Sequence, residues 1–326
     1  MCGIVGLFVG CAAVSSCPKR RLLNGSFNGE KSDAPEEMWR ESEGNDYRSP
    51  FKGWDRRVGV RASPRRELSS SDEMKLFFAP ELVPVAQHPL VERLGPGLFE
   101  QVILQHLYRY LDFTTSLEQL VVNRTVLGIA HGSIGVEVPE EMRFDAHKIY
   151  CDEAYHALFS QDLMRQTVAR TGVAPRLPHL PYFLVRLQQL QERLPPERRL
   201  LAELLFVIVS ETLISGTLAD VPKDQRVVAA VSEVIRDHAA DEGRHHAYFA
   251  AFLRILWGAL TPAERGAGAV LVPELVHAFL TPDCSAMRAE LCSYGLSTDE
   301  AEEVLSEVWP GEVVAASVRA SAARTV

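Results

Sequence analysis

The amino-acid sequence predicts an all-α protein, on three observations. From about residue 98 onward, apolar residues recur at i, i+3, i+4 and i+7 over long segments, the spacing that gathers them on one face of a helix. Short Pro/Gly stretches separate these segments, and proline and glycine are the residues that stop helices. No segment reads as a strand run. The 326 residues are 47% hydrophobic and 24% charged, enough apolar side chain for a large core, which excludes a wholly disordered or fibrous chain. The length fits one main domain with an appendage.

Taken in order, residues 1–75 read as a weakly ordered N-terminal extension. Residues 15–72 are rich in Gly, Ser, Pro and mixed charge without a sustained period, and such a composition buries too little apolar surface to offset its ordering entropy. Trp39, Phe51 and Trp54 would be exposed in a free segment, which leaves room for parts of it to lie across the main domain. The opening Met1-Cys2-Gly3-Ile4-Val5-Gly6, with Phe27-Asn28-Gly29-Glu30 further on, resembles the start of class II glutamine amidotransferases, where Cys2 would be the nucleophile. That family needs a longer β-rich domain and an Arg-Gly-Pro-Asp motif, for which this segment has no room. A chance match or vestige is expected, and an extension dispensable for chemistry.

Residues 76–326 form the expected main domain. The turn at Gly95-Pro96-Gly97 opens it, and helices are expected over 98–131, 141–172, 180–194, 197–219, 224–258, 262–281, 285–294 and 298–323. Pro195-Pro196 followed by Glu197 is a good helix start, because proline suits the first turn and the acid suits its dipole. Four long helices with carboxylates and histidines on inward faces make a ferritin-like four-helix bundle core, the rest being additional helices.

The chemistry is carried by a repeated motif, Asp152-Glu153-Ala154-Tyr155-His156 and Asp241-Glu242-Gly243-Arg244-His245. Glu and His three residues apart lie roughly 60° apart around a helix, so both side chains project toward one point. Two Glu-x-x-His pairs on separate long helices, with one Glu from each of two others, make the signature of a carboxylate-bridged di-iron site. Glu118 and Glu211 are the other two glutamates, each in an apolar stretch, where a carboxylate is costly to bury unless paired or metal-bound. His238 lies four residues before Glu242 and shares its helix sector, which makes it a seventh candidate; the bland alternative is a surface pairing with Asp237. Asp152 and Asp241 suit hydrogen bonds from the outer nitrogens of metal-bound histidines.

Composition excludes other classes. Residues 1–75 hold 13 Lys/Arg against 11 Asp/Glu, leaving 21 against 32 in the remainder, and that acidic remainder would repel a phosphate backbone, so no nucleic acid is expected. No apolar run is long enough to span a bilayer. The apolar residues 3–14 precede the first basic residue, Lys19, the reverse of a secretory signal. Six cysteines without a CxxC pair show no disulfide framework, so a cytoplasmic location is expected.

With Glu118, Glu153-x-x-His156, Glu211 and His238-x-x-x-Glu242-x-x-His245 in place, the chain over about residues 80–325 resembles the p-aminobenzoate N-oxygenase family, di-iron arylamine oxygenases of antibiotic biosynthesis. The third histidine is the discriminating feature. The resemblance implies that these seven residues hold two iron ions, cycling between Fe2+ and Fe3+, with no catalytic residue beyond the ligands. It implies an O2-dependent N-oxygenase that converts an amine, an arylamine in this family, to hydroxylamine, nitroso or nitro product. The amine is free or tethered to a carrier protein. Electrons come from an external reductase or redox mediator, since no flavin or nicotinamide fingerprint is visible, and the expected assembly is a homodimer. Tyr110, two turns before Glu118, is expected either to face the cavity or to pack as a core tyrosine. An arginine near the chain's end would bind a substrate carboxylate, Arg319 ahead of Arg288. The rivals are a di-iron C–H hydroxylase or desaturase and a ferritin-like iron-binding protein.

Overall fold

Proline, glycine and capping side chains set where the helices start and stop. In the computed structural model the described residues are 47–72, 74–217 and 224–325; Cys2 and the stretch 27–30 lie outside them. Pro96 opens α1 (Pro96–Leu117), where its missing N–H is not needed. One π-helical turn, Glu118–Val122, leads into α2 (Asn123–Ala130). Pro139 precedes α3 (Glu140–Thr171), which stops at Gly172 with φ of 69°, a left-handed conformation free of Cβ strain only for glycine. Helix α4 (Tyr182–Arg193) follows Pro181, and α5 (Pro196–Thr217) carries Glu197 in its first turn. Helix α6 (Ala229–Ala259) follows. Reciprocal capping by Thr261 and Glu264 starts α7 (Pro262–Leu280), and the Asp283 side chain caps α8 (Cys284–Ser293). Ser297 and Glu300 start α9 (Thr298–Val308), and α10 (Gly311–Thr325) ends the described chain.

Two expected helices differ from those observed. The single helix over 298–323 is broken between α9 and α10 at Trp309-Pro310, because proline cannot donate to the preceding turn and crowds it. The helix expected from residue 224 begins at Ala229. The residues before it pair instead with Leu76, whose N–H donates to the Arg226 carbonyl at 2.9 Å and whose carbonyl accepts from Val228 at 2.9 Å. That isolated parallel bridge is the extent of β pairing among the described residues.

Helix α3 lies along α1 and α2, α5 lies along α6, and α3 meets α6. The buried faces are strongly apolar: Leu107 and Leu111 of α1, Ile149 of α3, Phe206 and Val207 of α5, and Ile235 and Phe252 of α6 are all inaccessible or nearly so. Helix α7 covers α5, with α4 against both. The architecture is all-α, of the ferritin-like bundle type with additional helices. No described helix is long and apolar enough to cross a membrane.

The expected boundary at residue 75 cuts through packed chain. Residues 47–72 form a strap over the seam between α3 and α6. Tyr47 donates to Asp145 of α3 at 2.7 Å, Phe51 is buried beside Tyr248 of α6, and Arg65 and Arg66 pair with Asp162 of α3 and Asp237 of α6. Asp72 accepts from the backbone N–H of Ala229 at the start of α6. No periodicity marks this strap, because its order comes from the groove it fills.

Candidate metal centre

Each long helix of the core sends side chains to one buried point. The π-helical turn brings Glu118 inward, and its wider ring is a local distortion often found where a functional side chain must be re-aimed. Helix α3 supplies Glu153 and His156 one turn apart, α5 supplies Glu211, and α6 supplies His238, Glu242 and His245 on one face. All seven are at most 1% exposed. They fall into two groups, Glu118/His156/His238/Glu242 and Glu153/Glu211/Glu242/His245, with ligand atoms of each within 4.8 Å of one another. Glu242 belongs to both.

The histidines interleave with the carboxylates. His238 Nε2 lies 3.1 Å from Glu118 Oε1 and 3.1 Å from Glu242 Oε1. His156 Nδ1 is 3.1 Å from Glu153 Oε2, and His245 Nδ1 is 3.1 Å from Glu153 Oε1. Glu153 thus faces both groups, one oxygen toward each. Glu211 stands further off, 3.9 Å from His245 Nδ1. The alternative partner for His238 is excluded by geometry: Asp237 takes a 2.8 Å bond from Arg66 at the surface, while His238 points inward.

Two aspartates hold the outer edges of two histidines, crosswise. Asp241 of α6 lies 3.2 Å from Nε2 of His156 on α3, and Asp152 of α3 lies 3.3 Å from Nε2 of His245 on α6. With Nε2 turned outward, each ring presents Nδ1 to the centre. The sequence could suggest these aspartates but not the crossing, which depends on how the two helices sit together. It gave no sign of the strap's part: Trp54 Nε1 donates to both oxygens of Asp152 at 2.9 Å, and the Gly59 N–H donates to Asp241 at 3.1 Å. Phe159, one turn beyond His156, packs its ring 5.3 Å from that histidine and 6.2 Å from His238; helical spacing could have found it.

Charge in this site is balanced only by a cation or by protons. Both oxygens of Glu118, and one each of Glu153, Glu211 and Glu242, are buried without an aligned hydrogen-bond donor, a costly state for a carboxylate. Burial, then the charges of Glu242 and Glu153, push the Glu211 carboxyl well above its usual range, and burial raises Glu118 too. Burial opposes charge on His156, yet Asp241, Glu118 and Glu153 hold it well above an ordinary imidazole. For His245 the same opposition is outweighed by Glu153 and Glu242. Protons held in this way occupy the place of positive charge. Two divalent cations would neutralise the four glutamates and satisfy the orphaned oxygens, so the donor set fits a two-metal site. Among the described residues these are the groups that could hold a metal ion.

The expected substrate-binding residues divide. The Tyr110 hydroxyl is buried, and burial followed by the nearby Glu118 charge raises its pKa. Arg319 is exposed on α10, and Arg288 pairs with Glu302 of α9 at 2.7 Å. Neither arginine joins the buried cluster, since both stand on the outer C-terminal helices.

Four glutamates and three histidines converging inside a four-helix core define a class: helical-bundle proteins built around a buried carboxylate–histidine metal site. Within that class, the chain belongs to the p-aminobenzoate N-oxygenase AurF family, whose profile matches residues 50–326. The match begins inside the strap. Over 262 residues the chain is 24% identical to the 4-aminobenzoate N-oxygenase of Streptomyces thioluteus, spanning 79% of this chain and 77% of that protein.

Proposed function

We propose that the protein is an O2-dependent di-iron N-oxygenase that oxidises an arylamine to its hydroxylamine, nitroso or nitro derivative. The observation that carries this reading is the buried seven-residue set with its third histidine, in a chain of the N-oxygenase family. Glu118, His156, His238 and Glu242 would hold one iron, and Glu153, Glu211, Glu242 and His245 the other. Iron bound in both positions would supply the reductive activation of O2 that amine oxygenation requires. The chain's own contribution is positional. Asp241 and Asp152 keep a proton on Nε2 of His156 and His245, which leaves each Nδ1 lone pair facing inward. The apolar faces of α1, α3, α5 and α6 exclude bulk water. Electrons are supplied by an external reductase or redox mediator.

The test is to load the metal-free protein with Fe2+ and add O2, a chemical reductant and a panel of arylamines, reading products by mass spectrometry. Nitrogen-oxygenated product that depends on iron and O2 is expected. Product oxidised at carbon would favour the hydroxylase reading, and iron oxidised without any amine product would favour an iron-binding protein.

A further inference from the structure

We propose that Trp54 and Gly59, on the strap, are positioning residues for the metal centre, acting on His245 and His156 through Asp152 and Asp241. The proposal rests on reading the buried cluster as a metal site. The two connections are built alike. Trp54 Nε1 donates to both oxygens of Asp152 at 2.9 Å, and Asp152 Oδ2 lies 3.3 Å from His245 Nε2. The Gly59 N–H reaches Asp241 Oδ2 at 3.1 Å, and that same oxygen lies 3.2 Å from His156 Nε2. Arg244 also pairs with Asp241, through the other oxygen.

Both aspartates are almost wholly buried, at 0% and 2% exposure, so water cannot replace a lost donor cheaply. An aspartate free to rotate holds its histidine ring loosely. Fixed by a second donor, it fixes the ring's orientation and the tautomer that leaves Nδ1 free.

Gly59 meets a steric demand besides. Its φ is not positive, so backbone freedom is not what the position needs. A Cβ there would stand 2.7 Å from Asp241 Oδ2, so any side chain would push the strap or the aspartate away. Glycine lets the backbone approach near enough to donate. Trp54 serves by a different route, with a half-buried ring wide enough to carry its N–H to α3. The strap is neither a linker nor dispensable.

The experiment is equilibrium titration of the full-length, metal-free protein with Co2+, read by its ligand-field absorption, with thermal unfolding as a check on folding. Trp54→Phe removes the N–H and keeps an aromatic ring. It is expected to weaken Co2+ binding up to about tenfold, the lower end of what loss of a direct histidine partner does, and to shift the ligand-field bands. Asp152→Asn should do at least as much, and the double variant should match Asp152→Asn alone, since Trp54 acts through Asp152. Gly59→Ala should give the corresponding change through Asp241, and it carries the test should Trp54→Phe not fold. Wild-type affinity and bands in Trp54→Phe and Gly59→Ala, or fully additive effects in the double variant, would overturn the proposal. Failure of the wild type to bind Co2+ would instead overturn the metal-site reading on which it stands.

Discussion

Glu211 sits between Val209 and Ile214, all three buried, with one carboxylate oxygen orphaned. A carboxylate in so apolar a position needs a compensating partner, and a bound cation would be one. Glu211→Ala is therefore expected to lower the metal content from two ions per chain toward one, without unfolding the protein, because it removes a carboxyl that burial already penalises. Metal analysis of the purified variant reads this directly; two full equivalents would remove α5 from the site. His238→Ala leaves six of the seven residues in place, and alanine favours helix. That variant should fold and still take up iron, while amine oxidation falls by more than the roughly tenfold expected for losing a mere outer partner. Wild-type turnover would return the centre to a generic carboxylate site.

The helices differ in what fixes them. Helix α7 starts with a reciprocal cap between Thr261 and Glu264, at 3.3 Å and 2.8 Å, and this end is exposed and far from the ligand set. Thr261→Ala should lower stability by about 1 kcal/mol in denaturant unfolding, with metal content and turnover unchanged. A larger loss, or a change in metal content, would mean that the α5–α7 packing transmits strain to Glu211. The π-helical turn after α1 works in the opposite sense: it departs from regular geometry where Glu118 faces inward, and its irregularity is held by burial of Leu117 before it and of Val121 and Val122 within it.

At the scale of the whole molecule, the centre ties stability to pH. Burial and the charge of His156 oppose protonation of His238, but Glu118 and Glu242 outweigh them and hold its pKa at about 9. A folded-state value above the unfolded one means stability present in full below about 6.5 and lost as pH rises through about 9. His156 and His245, also raised, have the same sign. The metal-free protein should therefore melt at progressively lower temperature between these pH values, and His238→Ala should flatten that slope. Metal binding displaces these protons, so the rise in melting temperature on adding metal should grow over the same window. A metal-induced rise independent of pH would contradict the proton inventory of the site.

The sequence by itself determined most of the helices and pointed to the seven residues that gather in the buried cluster. Helical period is written locally, in Pro and Gly breaks and apolar spacing, and a Glu-x-x-His pair converges because one helix turn brings it together. Glu118 and Glu211 were legible for a related reason: a lone carboxylate in an apolar stretch needs a partner. The break at Pro310 was legible too, though the expected helix ran through it. What only the tertiary structure decided is whatever joins residues far apart in the chain. Asp152 crosses to His245 and Asp241 to His156 because α3 and α6 lie side by side, and no spacing within either motif encodes that. The strap has no period, since its order is supplied by the groove between those helices. Trp54 and Gly59 acquire their places only there, where an indole N–H and a missing Cβ meet two buried aspartates.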